Sequence, residues 1–540
     1  MKINKKILLA LAIPVMITGC GKGSESGSAS SEDYQLENVS LPLEEKLSLK
    51  GMISSSPLAP EDPNEKLIFK RLEDDTNVHI DWTNYNSDFS EKRNLDIAAG
   101  DIPDFIWNAE ASDADLMKWA ETGVIVPVDE LVENYMPNLK AIYEQNPEYK
   151  SLMVAPDGKM YSFPWIEELG NDKESIHTVN DIPWINVEWL EKLGLDMPTN
   201  PEELKEVLIA FRDEDPNGNG EADEIPFSFI DADGNEDFKH IIAAFGGDGD
   251  NDNHLVVKND GTLNFTADDD EYRSALEYMN ELYNENLIDP EAFEHDWNTY
   301  IAKGKDHKYG LYFTWDKANI TGMNDSYDVL PVMEGPDGVK RITRTNNMGF
   351  VRDRLVITSE NKNLELTAKW IDKMYEPIQS IQNNWGTYDD ETQQNIFEMS
   401  KNGKGEPMLK HLPLEGTAPG ELRQKTEVGG PLAILDEYYG EYTTMPDDAK
   451  WRLDIIKEEF APYVDKDNFF PKVFAPAEDL ERLAQIEADL FPFISRSRAE
   501  FIQNGITDQD WDAYKEELNR LGLEEWLSTK QEHYDSFKEN

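Results

Sequence analysis

Residues 46–108 contain short segments in which apolar residues recur at the spacing of a strand or of a helix. "KLSLKGMIS" and "VHIDWTNYN" alternate apolar and polar residues, as a strand does. "NEKLIFKRLEDDT" and "SEKRNLDIAAG" have the spacing of amphipathic helices, and Gly100 is placed to end the second one. "IPDFIWN" is again strand-like. Strands that alternate with helices of about 10 to 15 residues predict βαβ units and a mainly parallel sheet.

The rest of the chain continues this alternation and then becomes helical. Strands are predicted at "YSFPW", "IPWIN" and "HKYGLYFTW". A helix is predicted to begin after a Thr199 cap and to end at the loop 213–226. From about residue 476 the spacing predicts three amphipathic helices, separated near residues 504–505 and at Gly522. Together these elements predict an α/β fold.

The first twenty residues predict a secretory signal peptide. Three lysines within the first six residues precede an apolar stretch from Ile7 to Ile17, which is too short to span about 30 Å of hydrocarbon. Ile17-Thr18-Gly19-Cys20 then resembles the bacterial lipobox, in which cleavage before the cysteine leaves a thiol for diacylglycerol. The alternative is a structural cysteine behind an ordinary signal peptide. Because Cys20 is the only cysteine in the chain, it has no partner for a disulfide.

Residues 21–45 predict a flexible tether. The stretch "GKGSESGSASSEDYQLEN" is rich in glycine, serine and acidic residues and has no apolar periodicity. A lipid on Cys20 and this tether would hold a soluble body at the outer face of the cell membrane. No later apolar run approaches the roughly 18 residues of a membrane-spanning helix.

The composition limits the class of partner. The chain has 109 acidic and 51 basic residues, which gives a formal net charge of −58. Nucleic-acid binding depends on Lys and Arg side chains that neutralise phosphates, so this charge argues against a nucleic-acid partner. The roughly 500 residues behind the tether can bury large cores, and their number indicates two or more domains.

A set of motifs in a fixed order resembles a known family. "GDIPDFIW", "DGKMYSFPW", "WLEKLGL", "DPNGNGEADEIP", "KWIDKMY" and "FIQNGITDQDWDAYKEELNRLGLEEWL" follow one another along the mature chain. With the lipobox, this set resembles the family 1 extracellular solute-binding lipoproteins of ABC importers, the large type that takes oligosaccharides in Gram-positive bacteria. A related branch binds alginate oligosaccharides.

This resemblance implies an α/β, periplasmic-binding-protein-like fold with two lobes joined by crossing hinge segments. We expect residues 46–165 and about 335–395 to form one lobe, and residues 166–334 and about 396–540 to form the other. The resemblance also implies a monomer that closes its lobes on an oligosaccharide and delivers it to ABC permease subunits. The lipid anchor at Cys20 would place it on the outer face of the membrane of a Gram-positive type of cell.

The loop "DEDPNGNGEADEIP" (213–226) has the spacing of a calcium loop. Asp215, Asn217 and Asn219 alternate, so their oxygens can converge as at positions 1, 3 and 5, and Gly220 allows the sharp turn at position 6. Position 12 is Pro226 instead of the usual bidentate Glu, so a standard EF-hand is not expected. The alternative is a solvated Asn-Gly turn, which these residue types also favour.

The resemblance implies a structural Ca²⁺ in this loop, because the related alginate-binding proteins carry one in a loop of this spacing. The calcium would join the end of a helix to the strand that follows. The implied ligands are Asp215, Asn217, Asn219, Glu221 through its carbonyl group, Asp223 and Glu224.

Aromatic side chains near strand ends are candidates for stacking on sugar rings, which present apolar faces with a fringe of hydroxyl groups. They are Trp107, Trp165, Trp184, Trp315, Trp385 and Tyr388. Polar residues that lie beside them or at other strand ends, and could bind hydroxyl groups, are Ser55, Asp104, Asn108, Asn186 and Asp316. For each aromatic residue the alternative is ordinary packing in a half-buried position.

The stretch "KRITRTNNMGFVRDR" (340–354) has five basic residues and one acidic residue in an otherwise acidic chain. It could contact an anionic sugar or a permease. The alternative, which we favour, is a set of surface ion pairs, each of which contributes little. Both uronate and neutral oligosaccharides remain open as ligands, and we favour neutral ones.

Other classes of function leave no comparable signal. The sequence has no HExxH, GxSxG or P-loop pattern, and its eight histidines do not cluster at metal-ligand spacing. Pairs of carboxylates arise by chance among 109 acidic residues and so carry no weight for a glycosidase. We expect a binding protein without enzymatic activity. The alternatives are a surface-anchored polysaccharide-active enzyme and a sugar-sensing receptor on the same fold.

Overall fold

The computed structural model describes residues 38–170, 175–232, 234, 236–413, 419–465 and 469–539. The predicted signal peptide, the lipidation site Cys20 and most of the predicted tether lie outside the described residues. Within the described ranges, no helix has both the length and the apolar character needed to cross a membrane.

Strands and short helices alternate up to about residue 470, and long helices follow. The strands are β1 Leu47–Ser54, β2 Val78–Tyr85, β3 Phe105–Trp107, β4 Phe163–Glu167, β5 Ile182–Asn186, β6 Ile225–Phe227, β7 Leu255–Val257, β8 Leu263–Phe265, β9 Tyr309–Thr314, β10 Tyr327–Val329, β11 Phe350–Ile357, β12 Phe397–Lys401, β13 Pro407–His411 and β14 Leu432–Ile434.

The helices are α1 Leu67–Thr76, α2 Phe89–Ala99, α3 Asp113–Glu121, α4 Asp129–Tyr135, α5 Pro137–Gln145, α6 Pro147–Met153, α7 Val187–Leu193, α8 Pro201–Asp213, α9 Lys239–Ala244, α10 Asp270–Asn284, α11 Trp297–Lys305, α12 Leu364–Asp372, α13 Pro377–Trp385, α14 Pro419–Thr426, α15 Asp447–Ile455, α16 Ala477–Asn504, α17 Asp508–Leu521 and α18 Leu523–Glu539. The side-chain cap of α8 is Asn200, which accepts a hydrogen bond from Glu203 N, rather than the predicted Thr199.

A six-stranded sheet forms the centre of the first lobe, in the order β14-β4-β11-β3-β1-β2. The strands β2, β1 and β3 run parallel, as the alternating pattern predicts. However, β11 runs antiparallel between β3 and β4, and β14 then pairs in parallel with β4. The sheet is therefore mixed, because two of its strands arrive from distant parts of the chain.

A four-stranded sheet forms the centre of the second lobe, in the order β10-β5-β9-β6. Here β5 is antiparallel to both of its neighbours, and only β6 pairs in parallel with β9. The expectation of a mainly parallel sheet is wrong for this lobe. Each sheet has its own apolar core, with Phe105 and Phe163 fully buried in the first lobe and Phe211 and Phe313 in the second.

The region that follows residue 395 begins in the first lobe, not in the second as predicted. The hairpin β12–β13, α14 and β14 lie between residues 396 and 434. Phe397, Leu409 and Leu432 are buried in the same apolar core as β1 and β11. The reason is that β14 completes the sheet beside β4, which the local sequence pattern does not reveal.

The chain crosses between the lobes at residues 344–349, later than the predicted boundary at about 335. Ile342 still packs in a core of the second lobe, whereas Phe350 packs in the core of the first. The basic stretch contains this crossing, and two of its cations are buried. Arg344 and Arg352 lie 4.3 and 4.4 Å from the rings of Phe469 and Phe474, which belong to a later crossing segment.

The C-terminal helices pack on the second lobe, and a buried ionic cluster joins α16 to it. Arg498 on α16 donates hydrogen bonds to Asp231 at 2.5 Å and Asp237 at 2.8 Å. All three side chains are at most 9% exposed. Because a buried charge without a close partner is costly, displacement of α16 would leave Arg498, Asp231 and Asp237 uncompensated.

We expect replacement of Arg498 by Met to lower the free energy of unfolding by about 3–5 kcal/mol, because it leaves two buried carboxylates facing each other. Urea denaturation followed by circular dichroism measures this loss. The matched control is Arg482→Met on the same helix, since Arg482 pairs with Glu525 in a largely exposed position. Equal losses for the two variants would contradict the role given to the buried cluster.

Candidate functional site

The first and second lobes meet at a group of three rings, which we call the aromatic cluster: Trp165, His177 and Trp315. Trp165 is the third residue of β4 in the first sheet, and its side chain is partly exposed. Trp315 follows β9 of the second sheet and is also partly exposed. His177 lies in the segment that links β4 to β5 and so crosses between the lobes.

In the aromatic cluster, His177 lies between the two tryptophans. Its ring centroid is 6.5 Å from that of Trp165, with the planes at 72°, and 6.1 Å from that of Trp315, with the planes at 46°. The rings therefore line a corner in which each lobe contributes one indole. Such half-buried indoles offer flat apolar faces to a ligand while their edges stay anchored.

A hydrogen-bonded chain fixes Trp165 at one wall of this corner. Its Nε1 donates to Asn384 Oδ1 at 2.9 Å, and Asn384 Nδ2 donates to Glu167 Oε1 at 2.8 Å. Glu167 Oε2 lies 3.6 Å from His177 Nε2. Since Trp165 and Glu167 are two residues apart on a strand, their side chains point to the same side of the sheet.

Two polar atoms at this corner are buried without a hydrogen-bond partner among the described residues: His177 Nε2 and the hydroxyl group of Tyr439. Tyr439 and Trp315 both pack against a small apolar cluster of Leu169, Ile176 and Ala449. Burial, reinforced by the carboxylate of Glu167, raises the pKa of Tyr439 well above its usual value, so its hydroxyl group remains a donor. Unsatisfied buried polar atoms are costly, and the hydroxyl groups of a ligand would satisfy them.

Several predicted aromatic residues lie in the cores instead. Trp107 is fully buried against Trp370 and donates its Nε1 to Val428 O at 2.8 Å. Trp184 is fully buried and stacks on Trp451, with centroids 5.4 Å apart. These indoles have no face that is open to a ligand.

Trp385 and Asn186 are also buried, and their contacts lie within the fold. Trp385 is 5% exposed and packs on His411, with ring centroids 5.1 Å apart. Asn186 is 2% exposed and caps α7 by accepting a hydrogen bond from Trp189 N at 3.1 Å. In both cases a strand end or helix end is buried where the pattern predicts an exposed edge.

The other predicted residues of the first lobe have structural partners. Asn108, with φ of 50°, joins two segments by donating to Ser54 O at 3.2 Å and accepting from Gly430 N at 2.7 Å. Ser55 is hydrogen-bonded to Asn84, which keeps it beside the carboxyl ends of β1 and β2.

Of three further predicted residues, Asp104 and Tyr388 lie apart from the aromatic cluster and Asp316 lies beside it. Asp104 is 6% exposed and accepts a hydrogen bond from Lys50 N at 2.7 Å, so it ties the start of β3 to β1 inside the sheet. The ring of Tyr388 is covered by Arg71 at 4.1 Å. Asp316 follows Trp315 and caps a short helical turn, and burial raises its pKa.

Four residues of this corner are not among the residues predicted from the sequence: Glu167, His177, Asn384 and Tyr439. Strand alternation from Trp165 could have identified Glu167. The other three residues are close to Trp165 only in the folded chain. His177 lies on a crossing segment, Asn384 lies on α13, and Tyr439 follows β14 in the sequence.

The predicted calcium loop joins α8 to β6, and its side chains converge. Asp215 accepts hydrogen bonds from Gly218 N and Gly220 N, each at 3.0 Å. The amide groups of Asn217 and Asn219 both meet the same oxygen of Asp223, at 2.9 and 2.8 Å. These hydrogen bonds, together with Lys308, lower the pKa of Asp223.

A buried carboxylate oxygen in this loop fits a bound cation, and a simple turn does not explain it. Glu224 Oε1 is buried and has no hydrogen-bond partner among the described residues. Rotation of the Asn217 or Asn219 amide by 180° about its last bond would turn an oxygen inward in place of a nitrogen. Within the described ranges, no group of three His, Cys, Asp or Glu side chains is placed to hold a metal, so a cation here would also need amide and backbone oxygens.

The chain is similar to known binding proteins over nearly its whole length. It matches the family of bacterial extracellular solute-binding proteins over residues 59–380. It is 62% identical over 537 residues to the fructooligosaccharide ABC transporter substrate-binding protein FusA of Streptococcus pneumoniae serotype 4, covering 99% of this chain and 98% of FusA. It is 24% identical over 561 residues to the lipoprotein LipO of Bacillus subtilis, covering 99% of each.

Solved structures give the same relationship. The structure of S. pneumoniae FusA in complex with kestose has a TM-score of 0.85 and 64% identity, covering 91% of this chain and 100% of that one. An EF-hand mutant of FusA in complex with fructo-nystose has a TM-score of 0.85 and 63% identity with the same coverage. The alginate-binding protein AlgQ2 without calcium ion has a TM-score of 0.66 and 20% identity, covering 92% and 100%, and shows a likeness of fold alone.

The two tryptophans that follow "PDFI" and "SFP" should differ in their effect on stability. We expect Trp107→Ala to lower the free energy of unfolding by about 3–5 kcal/mol, since it removes a fully buried indole. Trp165→Ala should cost clearly less, because its side chain is only partly buried. Chemical denaturation of both variants measures the difference, and equal losses would contradict the placement of Trp165 at an open corner.

Proposed function

Because the chain belongs to the family of bacterial extracellular solute-binding proteins, we propose that it captures an oligosaccharide between its two lobes and delivers it to an ABC permease. This membership confirms the family resemblance of the ordered motifs and the two-lobed α/β fold. The observation that carries the site is the aromatic cluster, in which one indole from each lobe lines the same corner.

The ligand we propose is a fructooligosaccharide of the kestose type. The 62% identity to FusA supports this choice over a uronate oligosaccharide. The chemistry of the corner also suits a neutral sugar. Trp165 and Trp315 offer apolar faces, whereas His177 Nε2 and the Tyr439 hydroxyl group have no hydrogen-bond partner among the described residues. Glu167 can accept hydrogen bonds from sugar hydroxyl groups, but it would repel a carboxylate.

Lobe closure is the mechanism that this placement supports. A ligand that touches both Trp165 and Trp315 bridges the lobes, so its binding free energy favours the arrangement in which the two rings are close. His177 sits on a segment that crosses between the lobes, so contact with it ties ligand binding to the hinge. Binding and release without bond cleavage are sufficient for delivery, and we propose no enzymatic activity.

We further propose that a diacylglycerol on Cys20 and the tether 21–45 hold the protein, as a monomer, at the outer face of the membrane beside its permease. The support is the lipobox-like sequence and the similarity to the lipoprotein LipO. The closed form would be the one that the permease recognises, since closure brings surfaces of the two lobes into one fixed arrangement.

We also propose that the loop 215–224 binds Ca²⁺ with a structural role. Asp215, Asn217, Asn219, Asp223 and Glu224 would supply side-chain oxygens, together with the carbonyl group of Glu221. The unpartnered Glu224 Oε1 and the EF-hand of FusA support this proposal. A calcium here would fix the end of α8 against β6 and the start of β9, where Lys308 already pairs with Asp223.

The purified protein should bind kestose, with a saturable isotherm in titration calorimetry, and should not bind a trigalacturonate. Replacement of Trp165, His177 or Trp315 by Ala should each weaken binding by more than about tenfold, because truncation of a central contact typically costs 2 kcal/mol or more. The control is Trp297→Ala, which removes an exposed indole on α11, away from the cluster.

Two results would overturn this proposal. Absence of binding to kestose and to other neutral oligosaccharides would exclude the ligand class. Kestose binding that is unchanged in all three cluster variants would exclude the site while leaving the ligand class intact.

Calcium should raise the melting temperature of the protein by a few degrees over a sample in chelator, since a ligand that binds only the folded state stabilises it. In Glu224→Gln the two melting curves should coincide, because the amide removes the carboxylate charge with little change in shape. Asp260→Ala, in an exposed loop of the same lobe where Asp260 accepts from Thr262 N, should keep the full calcium response. Identical curves for the unmodified protein with and without chelator would exclude the calcium site.

A further inference from the structure

Arg452 lies directly beneath one wall of the aromatic cluster. It is on α15 and is 1% exposed. The central carbon of its guanidinium group is 3.5 Å from the centroid of the Trp315 ring, which is the distance of a stacked pair. One face of this indole is therefore covered by a planar cation.

The hydrogen bonds of Arg452 reach two separate parts of the chain. Its guanidinium group donates to the backbone oxygen atoms of Trp315 and Val179, and to Asn180 O at 3.3 Å. Val179 and Asn180 belong to the crossing segment that also carries His177. A single side chain thus binds the end of β9 and the crossing segment at once.

Burial of this charge is costly, so its presence needs a reason. An apolar side chain of similar volume would cost less to bury than a guanidinium group, because a buried cation loses its hydration. What Arg supplies instead is a flat fork that can stack on an indole and hold several acceptors in fixed directions. Both properties are used at this position, and both act on Trp315.

We propose that Arg452 is a positioning residue for ligand binding: it holds the Trp315 ring and the His177 segment at the separation and angle that the sugar requires. This inference rests on the proposed function, because it assigns a role within the same site. Arg452 does not touch the ligand. It acts by stacking on the covered face of Trp315, so that the remaining ring surface is presented in one orientation.

The alternative is that Arg452 only stabilises the fold, and a matched residue separates the two roles. Arg93 is also 1% exposed, lies 4.8 Å from the ring of Trp119 and donates to the backbone oxygens of Ala109 and Glu110. It belongs to α2 of the first lobe, away from the aromatic cluster. It therefore matches the burial, the cation–π contact with an indole and the carbonyl contacts without the site, and it differs in an ion pair with Asp115 at 3.4 Å.

The experiment compares Arg452→Met, Arg452→Lys and Arg93→Met in kestose titrations, at a temperature where circular dichroism shows each variant fully folded. Arg452→Lys is included because it keeps the charge and remains usable if the Met variant does not fold. We expect both Arg452 variants to bind about tenfold or more weakly, because coupled neighbours commonly interact by this amount, and Arg93→Met to bind as the unmodified protein does. Unchanged affinity in the Arg452 variants would overturn the proposal.

A double-mutant cycle tests whether the effect passes through Trp315. If it does, Arg452→Lys should cost no further affinity in a Trp315→Ala background. A full additional loss in that background would show that Arg452 acts independently of the ring, and would overturn the proposal.

A measurement without ligand keeps this inference separate from the proposed function. The difference in emission between the protein and its Trp315→Phe variant isolates the fluorescence of Trp315. We expect this difference spectrum to shift to longer wavelength in Arg452→Lys and to remain unchanged in Arg93→Met. If the protein binds no oligosaccharide, the proposed function fails, but the fluorescence measurement still tests Arg452. An unshifted difference spectrum would overturn the positioning role of Arg452, and a shifted one would support it.

Discussion

The structure depends on the insertion of β11 between β3 and β4. This strand pairs on both sides, with Phe105–Trp107 along one edge and with Phe163–Ile166 along the other. Without it the first sheet would divide into two unconnected pieces. Because β11 follows immediately after a crossing from the second lobe, the same hydrogen bonds that complete the first sheet also fix where the lobes meet. The aromatic cluster lies at this meeting point.

The use of charge in the protein follows from the same arrangement. The chain carries a large excess of carboxylates, yet several arginines are among its least exposed side chains, including Arg93, Arg352, Arg452 and Arg498. Arg352, Arg452 and Arg498 lie where segments distant in sequence come together, and each binds backbone carbonyl groups or carboxylates there. The excess negative charge remains at the surface, where water and salt screen it. Long cationic side chains are thus used inside the molecule as connectors.

Local pattern predicted the elements and their types well, but it did not predict which residues share a lobe. The periodicity of 46–108 matches β1, α1, β2, α2 and β3 closely, since each of these elements is set by its own apolar face. The prediction that residues 396–434 belong to the second lobe failed because β14 pairs with β4, which precedes it by more than 260 residues in the sequence. Such a contact leaves no local periodicity.

The same limit applies to the site. Trp165 and Trp315 follow from the expectation that aromatic residues near strand ends line a cleft, but Trp107 and Trp184 satisfy that expectation equally and are core residues. The two pairs differ only because other segments of the chain cover Trp107 and Trp184 and leave Trp165 and Trp315 partly exposed. The calcium-like loop was recognisable because all of its side chains lie within one short stretch of sequence. His177 and Tyr439 lie far apart in the sequence, so no local pattern identifies them as neighbours.

The late arrival of β14 sets the order in which the protein can fold. The first sheet is incomplete until residue 434 of 540 is available, because its outermost strand is the last to join. Neither lobe can reach its final form while the chain is only partly synthesised, and pairing over such long separations is intrinsically slow. The interleaved chain path that joins the lobes therefore also delays the completion of the first sheet until four fifths of the chain is available.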